Sequence, residues 1–339
     1  MRRSRWRAVA LIAVTAWTLT GCGSSGGASS PAAPGVSSPS ASGPFAFTVS
    51  PIALDAISSI PALGNLSPPG HTLPSDHLNV GQRPLLVPVV APADGVIQFT
   101  LGGSASGQLG VRNGSFLYVL SNLSVNAGLQ SGVTVKAGQQ LGMTSGLDFG
   151  LLNYSRQLFF ANPARYVDNE LYCDSPIAYF VEPLRSQLYA LVPRVGSDRD
   201  GRIDYDVAGR LAGNWFLDGL APSLSQFPAA WSQHLAFTYD NYDPAQVRIS
   251  IGGVVASPGV FTIPASAPLP RDVSVGSGRV AYPLLFAGPP GGLALQPPGF
   301  PQQTMLVQMI DDVTIRVEVF PRTVDAATPF DGNAFVYRR

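Results

Sequence analysis

Two of the three histidines in this 339-residue chain lie close together, with a carboxylate between them, in Gly70-His71-Thr72-Leu73-Pro74-Ser75-Asp76-His77. A second carboxylate, Asp148, follows in Gly146-Leu147-Asp148-Phe149-Gly150. A hydrolytic zinc site needs about three protein ligands, an open position for water and a nearby base. His71, Asp76 and Asp148 offer one imidazole and two carboxylates, a set that suits zinc or a harder ion. No other cofactor is expected. A simpler reading of His71 and His77 competes and is preferred: they cap a turn, or hydrogen-bond locally around Pro74. The third histidine, His234, starts a strand pattern in which Leu235, Phe237 and Tyr239 share one face. Alternation puts His234 on the other face, which predicts a solvated surface position.

Other chemistries find less support. The chain has no Gly-x-Ser-x-Gly elbow for a serine hydrolase. Gly102-Gly103-Ser104-Ala105-Ser106-Gly107 lacks the Lys-Ser/Thr and helix of a phosphate cradle and reads as a loop. In Asp198-Arg199-Asp200-Gly201-Arg202-Ile203-Asp204-Tyr205-Asp206 the glycine comes too early for a calcium loop and no glutamate closes it, so a charged turn is expected.

The N-terminus predicts an address. Arg2, Arg3, Arg5 and Arg7 precede a short apolar run, Ala8 to Leu19, as in an export signal. Leu19-Thr20-Gly21-Cys22 matches the bacterial lipobox, so residues 1–21 are expected to be removed and Cys22 lipidated. The protein is then expected in the cell envelope, held to a membrane outside the cytoplasm. Removing four arginines leaves 17 basic and 21 acidic side chains, with Lys136 the sole lysine. No basic stripe remains, which argues against nucleic-acid binding. Cys173 is left without an intrachain partner, so no disulfide framework forms, and a small buried apolar role is expected for it.

The elements that must position these residues are strands. With 36 glycines, 31 prolines and 12% charged residues, the composition is that of a turn-rich β protein. Residues 22–44 are almost wholly Gly, Ser, Ala and Pro, which predicts a flexible tether. Folded sequence is expected from Phe45, with Phe45, Phe47 and Val49 alternating as a strand. A first all-β domain spans 45–169, with strands at 85–90, 95–101, 115–120, 141–144 and 149–153 and a hairpin signal at Arg112-Asn113-Gly114. A connector, 170–190, carries one short helix after Pro183, with Leu184, Leu188 and Leu191 at helical spacing. A second antiparallel β domain, 191–339, has strands expected at 203–208, 214–217, 234–239, 246–251, 279–286, 304–310 and 314–320, in a barrel or sandwich.

Val90-Ala91-Pro92-Ala93-Asp94-Gly95-Val96 followed by Val135-Lys136-Ala137-Gly138-Gln139-Gln140-Leu141-Gly142 resembles, in that order, the lysostaphin-type zinc metallopeptidases of bacterial cell walls. The resemblance covers Gly70 to Asn153, about a quarter of the chain, and implies a duplicated hybrid motif fold for the first domain. In that family a His-x-x-x-Asp element and the second histidine of a late His-x-His bind zinc, and the first histidine of that pair is the base. On that frame Asp148 takes the place of the ligand histidine, Gly146 that of the base and Asn122 that of a further histidine. His71 and Asp76 have four residues between them instead of three. Glycine cannot move a proton, so the departures strike the catalytic apparatus hardest.

Gly213-Asn214-Trp215 also resembles the Gly-x-Trp at the first strand of lipocalin-like barrels. Such a barrel could enclose a small apolar ligand, or be filled by its own side chains around a core tryptophan. The leading expectation is a lipid-anchored pseudoenzyme that binds cell-wall material, such as peptidoglycan, or an envelope protein. The alternatives are an active metallo-endopeptidase with a rearranged site and an apolar-ligand carrier.

Overall fold

One long strand organises the first half of the chain. It runs Gln140–Asn153 and places Leu147, Phe149 and Leu151 on one face, where all three are buried. The residues between them, Gly146, Asp148 and Gly150, face the other way, as the two-residue period of a strand requires. The computed structural model describes residues 44–83, 86–102, 106–287 and 302–339. The expected signal segment, Cys22, most of the tether and the Pro-Gly-rich turn at 289–292 lie outside them.

The sheet has nine strands: β1 (Ile57–Ser59), β2 (His77–Gln82), β3 (Val87–Val90), β4 (Gly95–Leu101), β5 (Gly107–Asn113), β6 (Phe116–Val125), β7 (Thr134–Val135), β8 (Gln140–Asn153) and β9 (Cys173–Asp174). Their order is β1-β2-β8-β6-β5-β4-β7, with β3 and β9 also paired to β8. The two motifs that carry the family resemblance meet at one turn. Asp94 accepts from Lys136 Nζ at 2.8 Å and from the Ala137 amide at 2.9 Å, while Gly138 N–H donates to Ala91 O at 2.8 Å. Through those contacts each of the two motifs satisfies the other's turn.

The second half forms a closed antiparallel barrel of eight strands in chain order: β10 (Gly213–Leu217), β11 (His234–Tyr239), β12 (Val247–Ile251), β13 (Gly259–Thr262), β14 (Arg279–Phe286), β15 (Gln303–Asp311), β16 (Thr314–Phe320) and β17 (Phe335–Arg338). Closure comes from β10 pairing with β17, Phe216 opposite Arg338 and Leu217 opposite Tyr337. Among the described residues the interior is a packed core: Trp215, Phe237, Ile249, Met305, Val317 and Tyr337 have no solvent exposure. Of the two readings of the barrel, the structure adopts the filled one.

The Gly-x-Trp element has a physical cause here. Gly213 has φ of 121°, and a Cβ on it would meet Asp206 Oδ1 at 2.2 Å, so no side chain fits. That Asp206 oxygen accepts from Asn214 N at 2.8 Å, and the other accepts from Ala161 N at 2.8 Å. Trp215 donates through Nε1 to Leu211 O at 2.8 Å, and the Arg339 guanidinium lies 4.1 Å from the indole centroid. Arg339 also donates to the carbonyls of Val207, Leu211 and Ala212, and so seals one end of the barrel.

Several expectations need correction. Phe45 to Val49 makes no strand; Phe47 forms a single bridge to Phe180. The two strands expected at 141–144 and 149–153 are one, β8, and the segment at 203–208 is irregular, held by burial of Ile203 and Tyr205. Strands β1, β2, β5, β7, β9, β13 and β17 were not expected. The connector helix is α2 (Leu184–Ala190), with Leu188 buried as the spacing requires; Leu191 is its C-cap. Two shorter helices, α1 (Asp168–Leu171) and α3 (Pro228–Trp231), also form.

Replacing Arg339 by alanine should lower the unfolding free energy by about 3 kcal/mol, from lost charge-assisted hydrogen bonds and the stacked indole. Urea titration measures this. Arg339→Lys should recover less than half, because an ammonium cannot lie flat on the ring and reach several carbonyls. A change near zero in both variants would refute the sealing role.

Candidate functional site

A cleft of about 430 Å³ opens between the sheet and the outside of the barrel, and all three histidines of the chain line it. One wall is the face of the sheet opposite the β8 core residues. Register puts Asn79 of β2 beside Asp148 of β8, Asp148 beside Ser121 of β6, and Ser121 beside Gln108 of β5. These four form a polar row across the sheet. Asn79 Nδ2 donates to Asp148 Oδ1 at 2.7 Å, and Gln108 Nε2 donates to Ser121 Oγ at 2.9 Å.

Asn122 interrupts that row with a β-bulge. It is the only described residue other than glycine with positive φ (64°), a conformation asparagine tolerates better than most. Thr144 Oγ1 donates to its carbonyl at 2.6 Å, and the bulge aims its Nδ2 at Asp148 Oδ2, 2.8 Å away. Both oxygens of Asp148 are therefore engaged by side-chain amides.

The histidine pair sits at the start of β2. His77 Nδ1 donates to Asp76 Oδ1 at 2.8 Å, and its Nε2 lies 3.7 Å from Asp148 Oδ2, too far for a hydrogen bond. That Nε2 is buried and has no hydrogen-bond partner among the described residues. His71 packs edge-on to His77, centroids 5.2 Å apart, and nearly parallel to Trp231 at 5.9 Å. Thr72 Oγ1 donates to Trp231 O at 2.9 Å and ties this loop to the barrel side. The local reading of His77 thus holds for its bond to Asp76, while His71 reaches across to the barrel.

The barrel wall corrects the expectation for His234. It is 2% exposed, because the outer face of β10 and β11 is covered by the first half of the chain and not by water. Phe216 on that face packs edge-on against Tyr166, which stacks on Phe160 at 3.9 Å. His234 Nε2 lies 2.8 Å from Ser225 O.

Electrostatics follow from this burial. For His77, desolvation opposes the charged form, but the hydrogen bond and charge of Asp76 outweigh it and hold the imidazole above its ordinary value. Asp76 is likewise subject to desolvation, yet the bond to His77 keeps it below the usual range. Burial, with the charge of His77, pushes His71 down. Burial lowers His234 to about 4. Glu170 of α1, which lines the same cleft, is raised to about 8 by burial and by the charge of Asp76.

His71, Asp76 and Asp148 thus come together in one cleft, as their chemistry suggested. Asp76 bonds to His77, and Asp148 to Asn79 and Asn122, which leaves further lone pairs on both carboxylates. Among the described residues no group of three His, Cys, Asp or Glu is placed to hold a metal ion. Cys173 is buried, its thiol donates to Asp76 O at 3.4 Å, and burial pushes it well up. In the 198–206 segment each turn carboxylate has a partner: Asp198 with Arg194, Asp200 with Tyr189, Asp204 with Arg202 and Asp206 with two backbone amides. Asn79, Glu170, Ser121 and Trp231 escaped the sequence reading. Alternation from His77 would have placed Asn79 on the cleft face; nothing local marks the other three.

Between about pH 4.5 and 8 the folded protein holds a proton on Glu170 that the unfolded chain releases, so its contribution to stability falls as pH rises through that window. Glu170→Gln, which keeps the acceptor for the Val167 amide (3.2 Å), should therefore raise the unfolding free energy by about 2 kcal/mol at pH 9 and leave it unchanged at pH 4. His234 acts in the opposite sense: its neutral form is favoured by folding, so stability falls as pH drops from 6.5 toward 4. Paired denaturation curves of wild type and Glu170→Gln across pH isolate the glutamate; an offset independent of pH would contradict its buried protonation.

No protein-family model matches the chain, and no curated protein matches it at a significant level. Among solved structures, Helicobacter pylori Csd3 is similar in two crystal forms at 23% identity and a TM-score of 0.27. The hexagonal form covers 33% of this chain and 31% of its own, the orthorhombic form 36% and 35%. A zinc-containing peptidase from Vibrio cholerae is similar at 19% identity and a TM-score of 0.28, over 33% of this chain and 38% of its own. The chain spans about a third of the length of each, and likenesses this loose do not bear on activity, metal or substrate.

Proposed function

We propose that this chain is an envelope protein, lipid-anchored through Cys22, whose cleft binds cell-wall peptide or glycan without cutting it. The observation that carries the reading is the state of Asp148. It stands where the family resemblance calls for a ligand imidazole, and its two oxygens are held by Asn79 and Asn122. Position 146, where the resemblance calls for the base, has no side chain, although a Cβ there would meet nothing within 4 Å. Space for a base exists and the chain leaves it empty, while the surrounding wall keeps a row of polar groups. A concave site with several convergent polar groups and perturbed titrations is the expected form of a ligand site.

Sedimentation with purified peptidoglycan tests this. The lipid-free protein should pellet with the walls, and Ser121→Trp, which would fill the cleft, should cut the bound fraction at least tenfold. Wall turbidity should stay constant. Clearing of the walls that vanishes in His71→Ala would overturn the reading in favour of an endopeptidase, and failure to pellet would remove the wall as ligand. The anchor has its own check: the mass of the membrane-extracted protein should carry acyl groups that Cys22→Ser abolishes, and an unmodified wild-type mass would refute it.

A further inference from the structure

The barrel wall of the cleft carries buried acceptors that the described chain leaves unsatisfied. Ser225 O can only accept, so His234 Nε2 must carry the proton that bonds to it, which leaves Nδ1 as a bare acceptor. That Nδ1 is buried and has no partner among the described residues. On the neighbouring strand Asn214, also 2% exposed, donates through Nδ2 to the Tyr166 hydroxyl at 3.1 Å, and its Oδ1 has no partner. Both residues line the cleft. A buried polar atom left unsatisfied costs free energy, and two such acceptors on residues that line one cavity would be relieved by donors from outside the chain.

The facing wall asks for the same thing. Asp76, Asp148 and Glu170 present three carboxyl groups against His77, which Asp76 holds toward its charged form, and among the described lining residues there is no lysine or arginine. A phosphate or carboxylate entering here would meet acceptors on both sides. A group with several protons on one atom would satisfy both walls, and a primary ammonium has three donors and no acceptor. The near-parallel rings of His71 and Trp231 add an aromatic flank of the kind that favours cations.

We propose that the cleft recognises a primary ammonium group, with His234 Nδ1 and Asn214 Oδ1 on the barrel wall and the carboxylates of Asp76 and Asp148 on the sheet wall as its acceptors. This rests on the reading of the cleft as a binding site and names the group it selects. The ammonium could be carried by a peptide side chain or by an amino sugar; the chemistry at the walls is the same.

Calorimetric titration of the lipid-free full chain separates the possibilities. The probes are a terminally blocked Ala-Glu-Lys-Ala peptide, its Nε-acetyl-lysine twin, glucosamine and N-acetylglucosamine. At least one free amine should bind tenfold or more tighter than its acetylated twin, the peptide or the sugar naming the source. Asp148→Asn and Asp76→Asn, which keep side-chain shape, should each erase that preference; circular dichroism confirms that they fold. His234→Phe should erase it too, but a failure of that variant to fold leaves the two asparagine variants to decide. Equal binding of free and acetylated probes would overturn the ammonium while leaving the cleft a binding site. No binding of any probe alongside retained sedimentation with walls would overturn the ammonium alone, and loss of both would overturn the cleft itself.

Discussion

Strand β8 is the constraint on which the rest depends. Its fourteen residues pair with β2, β3, β6 and β9, so four neighbours take their register from it. One face carries the apolar row that packs the first core, and burial of each such side chain is worth about 1.5–3 kcal/mol. A one-residue slip would turn that row to the cleft and Asp148 to the core, a cost large enough to fix the register. The polar row therefore sits where it does because the apolar row cannot sit anywhere else. Positioning of the cleft wall is a by-product of core packing, and it needs no separate scaffold.

The two walls are held at a distance by different means. The sheet wall is braced internally by side-chain hydrogen bonds from β2, β5 and β6, each within the ordinary range. The barrel wall is braced from behind by a filled interior and by Arg339 on Trp215. Between them the loop 70–76 crosses over and is fixed to Trp231 by Thr72. A site built this way is preorganised, since little of it must be ordered when a ligand arrives. Its buried unsatisfied acceptors are the free-energy reservoir that a donor ligand would relieve.

The fold class was legible because period-two alternation is a local signal. Strands β4, β11, β14 and β16 match their expected bounds, each flanked by turn residues that end the pattern. β5 was missed because Gly107 and Gly110 thin out the alternation of Leu109 and Val111, although both of these are fully buried. β8 was read as two strands because Ser145-Gly146 looks like a turn; the partner strand absorbs the irregularity through the bulge at Asn122. The cleft was only half legible. His71, Asp76 and Asp148 were found from residue type, but His234 was misplaced because a single sheet was assumed to have a wet outer face. Its burial comes from Ser225 in the preceding loop and from Phe216, which itself packs on Tyr166 of the first half, and no local pattern encodes that last partner.

The packing of Phe216 has a consequence for how the molecule comes apart. It lies on the outside of the barrel yet belongs to the apolar cluster of the first sheet, through Tyr166 and Phe160. The seam between sheet and barrel is thus continuous with a core and is not a polar interface that water can open. Segments joined by shared core residues lose their native contacts together, as one cooperative unit. His234, buried at this seam, is then freed only when sheet and barrel lose their shared core, so the amides of β11 should exchange with solvent at the rate of global unfolding and not by local fraying.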